Sequence, residues 1–284
     1  MSKNKFKIPF RKLDSHKGEF GHVLVLAGSC GLTGAAYLTS QASLLSGSGL
    51  VTLGIPESLN PIMEVKLTEI MTIPLAETEQ LTLSSKALTQ IKKILDKIDA
   101  LAVGPGLSQN YQTQKLVRGL LVSITKPLVL DADGINALTG KLEILNTLKV
   151  KLVITPHPGE MARLLNLKVE EIQKNRTGIA GDFAKRFNIV VVLKGYRTVV
   201  AGPDGKVYIN KTGNPGMASA GCGDVLTGII AAFLGQGLDC FKSARLGVYL
   251  HGLAGDYAAK EKGQISLIAT DILDKLPLAL KAIT

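Results

Sequence analysis

His22-Val23-Leu24-Val25-Leu26-Ala27 is almost wholly apolar and is stopped by Gly28, the pattern of a strand buried on both faces. Gly31 and Gly34 then precede a helical segment over 35–46, and a second apolar run follows at 50–55. Strand, helix and strand in that order form a βαβ unit. The pattern recurs downstream. Residues 99–103 run into Gly104-Pro105-Gly106, 127–130 into Asp131-Ala132-Asp133-Gly134, and 151–154 into Thr155-Pro156-His157-Pro158-Gly159-Glu160, with helical segments between. This alternation predicts an α/β fold with three layers, α/β/α, around a mostly parallel central sheet. Residues 190–193 read as a further buried strand. Those at 199–201 and 206–209, joined by Gly202-Pro203-Asp204-Gly205, read as a hairpin appended to the sheet.

Outward from this frame, the stretch 212–224 (Thr-Gly-Asn-Pro-Gly-Met-Ala-Ser-Ala-Gly-Cys-Gly-Asp) is too rich in glycine and proline for helix. Val225, Leu226, Ile229, Ile230, Phe233 and Leu234 then recur at helical spacing until Gly235 and Gly237 stop the helix. A glycine loop entering a helix N-terminus aims free N–H groups and about half a positive charge at one point, which suits a phosphate or a developing anion. Asp224 at the junction reads as the helix cap or as a catalytic base. The Gly-x-Gly run before it, which a cap does not need, favours the base.

The other loops carry weaker signals. Gly28, Gly31 and Gly34 form G-x-x-G-x-x-G rather than the G-x-G-x-x-G of dinucleotide-binding folds, and read equally as a packing device or a ligand loop. Asp131 and Asp133 read as turn residues or site carboxylates, and His157 as the cap of a helix opened by Pro158 with Glu160 in its first turn. His251, in a helix over 241–262, reads as packed; a last helix is expected over 272–283. Ligands in parallel sheets sit beyond the C-terminal strand ends, so the loops that follow strands share one rim.

The chain has 284 residues, 46% of them hydrophobic, and no linker-like or repeated segment, so one domain over 1–284 is expected. The net charge is +10, but the lysines are spread over helix surfaces and aromatics make up only 5%, which argues against nucleic acid and suits small anions such as nucleotides. Lys3, Lys5, Lys7, Arg11 and Lys12 crowd together and read as a solvated tail. Cys30, Cys222 and Cys240 have neither metal-ligand spacing nor a paired pattern, no apolar signal segment opens the chain, and no run approaches a membrane span. A cytoplasmic protein without a membrane partner is expected.

Taken in order, Gly21-His22-Val23-Leu24-Val25-Leu26, Gly31-Leu32-Thr33-Gly34-Ala35-Ala36, Gly104-Pro105-Gly106, Asp131-Ala132-Asp133, Thr155-Pro156-His157-Pro158-Gly159-Glu160, Gly213-Asn214-Pro215-Gly216-Met217-Ala218 and Gly221-Cys222-Gly223-Asp224 resemble the ADP/ATP-dependent NAD(P)H-hydrate dehydratases. The resemblance implies a ribokinase-like fold and repair of the (S)-hydrates of NADH and NADPH at the expense of ADP or ATP, with Mg2+. In that chemistry the ring hydroxyl is phosphorylated and phosphate is then eliminated, leaving AMP or ADP. It also implies that Asp224 is the base and that Ala36, Gly106, His157 and Asp224 face the hydrated dinucleotide. Lys194, Gly195, Tyr196, Arg197 and Thr198, with Gly223, would face the adenine nucleotide. Without the resemblance, Lys194 reads as an exposed lysine at a strand end. The N–H groups of Gly221, Cys222 and Gly223 would form an anion hole, and Glu160 would hold Mg2+ through water.

The family's usual Thr-Gly-Gly-Thr-Gly-Asp loop stands here as Ser219-Ala220-Gly221-Cys222-Gly223-Asp224, with Ala220 in place of a glycine and Cys222 in place of a hydroxyl. ADP is favoured because 284 residues leave no room for a fused epimerase, and a homotetramer is implied. Two other readings use the same motifs: a ribokinase-like kinase of a small alcohol of the vitamin-precursor type, and a non-catalytic dinucleotide sensor. If the Gly223 N–H points at the phosphoryl group with the backbone against the nucleotide, no side chain is tolerated there, and a positive φ would add to that.

Overall fold

The computed structural model describes residues 11–284; Lys3, Lys5 and Lys7 of the basic cluster lie outside the described residues. The strands are β1 (His22–Leu26), β2 (Leu50–Pro56), β3 (Met71–Leu75), β4 (Ala100–Val103), β5 (Leu128–Leu130), β6 (Leu152–Ile154), β7 (Val190–Leu193), β8 (Val199–Ala201) and β9 (Val207–Ile209). They form one sheet in the order β3-β2-β1-β4-β5-β6-β7-β8-β9. The pairings from β3 to β7 are parallel; β8 and β9 are antiparallel additions, the expected hairpin.

The helices are α1 (Thr33–Leu45), α2 (Asn60–Lys66), α3 (Ala87–Lys92), α4 (Tyr111–Ser123), α5 (Asp133–Asn136) and α6 (Pro158–Leu165), then α7 (Val169–Lys174), α8 (Arg176–Phe187), α9 (Cys222–Gly235), α10 (Cys240–Lys262) and α11 (Ala269–Lys281). The last starts ahead of the expected position because Asp271 accepts a hydrogen bond from the Ile268 N–H at 2.9 Å and so fixes the first turn. Strand β3 carried no clear sequence signal. It lies at the sheet edge, contains Pro74, which an edge strand tolerates, and buries only Leu75 fully.

Period-two alternation assigns the two faces of the sheet. Leu24, Leu26, Leu101, Val103, Leu128, Leu130, Leu152 and Ile154 pack on one side with residues of α4, α6 and α8. Val23, Val25, Ala100, Ala102, Val129 and Val153 pack on the other with residues of α1, α9 and α10. Each such valine, leucine or isoleucine contributes about 1.5–3 kcal/mol on burial. Because β1 lies between β2 and β4, the chain reverses its direction of travel across the sheet there, which sets the loops after β1 and β4 side by side at the switch point. Helix α9 is pressed against α1 at Gly228, where a methyl group would stand 2.1 Å from the Thr39 carbonyl oxygen.

Candidate active site

The loops after β1 and β4 are tied together. The Gly28 N–H donates to the Pro105 carbonyl at 2.9 Å, and Ser29 Oγ donates to the Gly106 carbonyl at 2.8 Å. Gly106 has φ +63, and a Cβ there would stand 3.0 Å from Ala35 Cβ and from Leu32. Ala36 is wholly buried beneath this junction, its methyl 3.0 Å from where a Gly28 Cβ would be. Ala36 and Gly106 therefore share one corner of the rim, but Ala36 shapes it from below.

After β5 the chain turns through Ala132 at φ 47, ψ −117, a conformation that a side chain disfavours. The turn directs Asp131 inward. Only 1% exposed, its carboxylate accepts hydrogen bonds from Lys194 Nζ at 2.6 Å and from Thr227 Oγ1 at 2.8 Å. Lys194 is therefore not an exposed lysine at a strand end. Burial alone would depress its pKa, but Asp131, Glu160 and Asp224 outweigh that and hold it above the ordinary lysine range. Asp133 stays at the surface of the turn, where it accepts from the Ser108 N–H at 2.8 Å.

His157 caps α6. Its Nδ1 accepts from the N–H groups of Gly159 at 2.9 Å and Glu160 at 3.3 Å, while Glu160 Oε2 accepts from the His157 N–H at 2.7 Å. Burial, then Lys194 and Arg163, lower the His157 pKa, so the ring is neutral at pH 7 with its proton on Nε2, on a side chain half open to the rim. Glu160 is pushed up, chiefly by burial, with Lys194 Nζ at 3.9 Å opposing this.

Among the described residues no group of three or more His, Cys, Asp or Glu side chains is arranged to hold a metal ion. Asp131 is engaged by Lys194. Glu160 uses Oε2 in the cap and turns Oε1 toward His157 Nε2 at 3.5 Å, so this buried carboxylate fits contact with a hydrated Mg2+ only through water, the metal taking most of its ligands from phosphates and water.

The loop 212–221 is fixed by α10. Asp256 accepts from the Gly213 N–H and from Asn214 Nδ2, both at 3.0 Å, and Thr212 Oγ1 donates to the Tyr249 carbonyl at 2.8 Å. Gly221, at φ +87, is the N-cap of α9 and has no side chain to cap it. The N–H groups of Gly221, Cys222, Gly223 and Asp224 have no acceptor among the described residues, so this helix end presents an unfilled donor set. The Cys222 sulfur faces Ser219 Oγ at 3.3 Å, which leaves its N–H as its contribution.

Gly223 corrects one expectation. The positive φ belongs to Gly221, and a methyl on Gly223 would meet only Lys194 Nζ at 3.4 Å and Asp131 Oδ2 at 3.8 Å. Asp224 follows in the first turn and makes no capping bond. Burial, and next the charge of Asp131, push its pKa up to about 7, with Lys194 pulling the other way. His251, packed beneath with its pKa lowered by burial to about 4, contacts the Cys222 backbone and not the rim, as a packed residue does.

The segment after β7 completes the rim. Tyr196 and Arg197 project outward, Arg197 stacking on the Tyr196 ring at 5.4 Å, and Thr198 Oγ1 donates to the Gly195 carbonyl at 3.0 Å. Lys194 thus links Asp131 at 2.6 Å and Glu160 at 3.9 Å, and the charges of Lys194 and Asp131 reach Asp224 in the first turn of α9. Asp131, left open in the sequence between turn residue and site carboxylate, is the buried partner of Lys194. Arg176, whose guanidinium holds carbonyls of the 193–196 segment, sits in no motif at all and escaped the reading of the sequence.

A family model described as NAD(P)H-hydrate dehydratase matches residues 23–278. The bifunctional NAD(P)H-hydrate repair enzyme of Moorella thermoacetica is 50% identical over 275 residues, 97% of this chain and 52% of that protein. The chain thus spans about half the length of the first curated relatives it matches. The ADP-dependent (S)-NAD(P)H-hydrate dehydratase of Neisseria meningitidis is 39% identical over 257 residues, 89% of this chain and 82% of that protein. The crystal structure of the Bacillus subtilis ADP/ATP-dependent NAD(P)H-hydrate dehydratase, co-crystallised with ATP and Mg2+, superposes with a TM-score of 0.83 at 33% identity, over 98% of this chain and 95% of that one. The α/β sheet with helices on both faces is the ribokinase-like architecture.

Proposed function

The chain belongs to the NAD(P)H-hydrate dehydratase family, and from that premise we propose that it restores the (S)-hydrates of NADH and NADPH to NADH and NADPH, consuming ADP or ATP. The observation that carries the reading is the pairing of Asp224, unbonded and pushed up to about pKa 7, with the free N–H groups that open α9. The ring hydroxyl oxygen attacks the terminal phosphorus of the nucleotide and Asp224 takes its proton, a step worth about 10²–10⁴-fold. The bond to the bridging oxygen breaks and releases AMP or ADP. The N–H groups of Gly221, Cys222 and Gly223 stabilise the charge on the transferring group, as does the Lys194 ammonium. The ring C–O bond of the phosphate ester then breaks, driven by the lone pair of the ring nitrogen, inorganic phosphate leaves, and loss of a neighbouring proton re-forms the double bond.

Gly106 and His157 line the side for the hydrated dinucleotide, with Ala36 shaping it from below, and His157 can donate from Nε2. Lys194, Gly195, Tyr196, Arg197, Thr198 and Gly223 line the side for the adenine nucleotide. Mg2+ on the nucleotide phosphates, met by Glu160 through water, would neutralise phosphate charge. The names of the Moorella and Neisseria relatives and of the ATP/Mg2+ co-crystallised Bacillus subtilis structure are those of hydrate repair enzymes, which supports this over phosphorylation of a small alcohol or passive sensing.

ADP is the favoured nucleotide, as the name of the Neisseria relative suggests. One domain over 1–284, acting as a homotetramer, is part of the same proposal. The unpaired Cys30, Cys222 and Cys240 support a cytoplasmic setting, and no helix among the described residues is long and apolar enough to cross a membrane. The test is to mix the purified protein with hydrated NADPH, Mg2+ and either ADP or ATP. Absorbance of reduced nicotinamide returns with one or both nucleotides; a stable phosphorylated product in its place would assign the chain to kinase chemistry.

A further inference from the structure

Three carbonyl groups at the end of β7 converge on one side chain. Arg176, the first residue of α8, donates from Nη2 to the carbonyls of Leu193 at 2.8 Å and Lys194 at 3.0 Å, and from Nη1 to that of Tyr196. The backbone reaches this arrangement through two unusual residues, Gly195 at φ +133 and Arg197 at φ +54. Gly195 is required on a second count, since a Cβ there would stand 3.2 Å from the guanidinium.

The peptide bonds are trans, so each carbonyl points opposite to the N–H of the following residue. The N–H that follows the Leu193 carbonyl, that of Lys194, donates to the Pro156 carbonyl at 2.8 Å and ties the segment to the turn bearing His157 and Glu160. The N–H groups that follow the other two carbonyls belong to Gly195 and Arg197. Both are turned away from Arg176, and neither has an acceptor among the described residues. A guanidinium suits the task because its planar fork supplies several donors in fixed directions, whereas an ammonium is a single point. Arg176 also pairs with no carboxylate among the described residues; its two Nη groups are committed to the backbone, while its buried Nε has no partner there.

We propose that Arg176 is a positioning residue for nucleotide binding: by gathering three carbonyls on one side of 193–197 it presents the Gly195 and Arg197 N–H groups as a donor pair to oxygen or nitrogen acceptors of the adenine nucleotide. The proposal rests on the reading of 194–198 as the nucleotide side of the site. Arg176 touches no reacting atom, so its loss acts on nucleotide affinity and leaves the chemical step alone.

The experiment measures dissociation constants for Mg2+·ADP and Mg2+·ATP by calorimetry in the wild type, Arg176→Lys and Arg176→Ala, with and without millimolar guanidinium ion. The KM for each substrate, kcat at saturation and Tm are measured alongside. Nucleotide affinity is expected to fall about tenfold or more in Arg176→Ala and severalfold in Arg176→Lys, the equivalent of losing charge-assisted hydrogen bonds. Guanidinium restores part of the loss, while kcat and the KM for hydrated NADPH stay within about twofold of wild type. Unchanged nucleotide affinity in either folded variant, or a loss confined to kcat, overturns the role of Arg176. If Arg176→Ala does not fold, Arg176→Lys decides alone. Failure of the wild type to bind either nucleotide overturns the subsite reading itself and the proposal with it.

Discussion

An aspartate in the first turn of a helix ordinarily caps it, and Asp224 does not: Gly221 holds the capping position and the Asp224 carboxylate is left without a bond. With a pKa of about 7 it is half ionised at neutral pH. A base must be deprotonated, so kcat/KM is expected to fall about tenfold per pH unit below 7 and to level off above it; a profile flat between pH 5 and 8 contradicts this. The same shift acts on stability with a definite sign. The folded state holds the proton from the ordinary aspartate range up to about pH 7, so the contribution is present at low pH and lost as pH rises through 7. Asp224→Asn is therefore expected to raise Tm relative to wild type at pH 8, to lose that advantage near pH 4, and to lower turnover by about 10²–10⁴-fold. Lys194→Ala behaves differently, because it strands the buried carboxylate of Asp131. Beyond weakening nucleotide binding it is expected to cost about 3 kcal/mol, and Asp131→Asn in the same chain to recover part of the lost Tm.

At the scale of elements, the loop 212–221 depends on how α9 is seated. Its contact with α1 passes through Gly228, where added volume meets the Thr39 backbone, which has nowhere to go. Gly228→Ala is expected to cost about 1–3 kcal/mol or more, read as a lowered Tm with activity lost only as the protein unfolds. Within the loop the two glycines separate by cause. Gly221→Ala faces a positive φ and Leu38 Cδ1 at 2.5 Å, and is expected to lose stability. Gly223→Ala lies in helical backbone with Lys194 Nζ at 3.4 Å, an ordinary contact, and is expected to keep its Tm while losing turnover, since its methyl stands where the phosphoryl group must approach. The opposite ranking would move the anion-binding role away from this helix end.

For the whole molecule, the parallel sheet and its rim were legible because buried strands are marked by local apolar runs and their loops by glycine, proline and carboxylates. What stayed open or escaped depends on partners far apart in the chain. Asp131 meets Lys194 across 63 positions and Thr227 across 96, and no local pattern distinguishes such a carboxylate from a turn residue. Arg176 is equally silent, because its acceptors are backbone carbonyls and leave no trace in residue type. Strand β3 was lost to its edge position and Pro74. The roles of Ala36, Gly106, His157 and 194–198 came from the resemblance, and their geometry supports the proposed division of the rim without testing it. The most direct test of the central claim, that Asp224 drives phosphoryl transfer and phosphate is then eliminated, is a single-turnover reaction of hydrated NADPH with ADP or ATP carrying a labelled terminal phosphate. The account predicts one labelled inorganic phosphate for every NADPH formed in the wild type, and neither product at the wild-type rate in a folded Asp224→Asn variant. NADPH formed without phosphate release, or undiminished by the Asp224→Asn change, contradicts it.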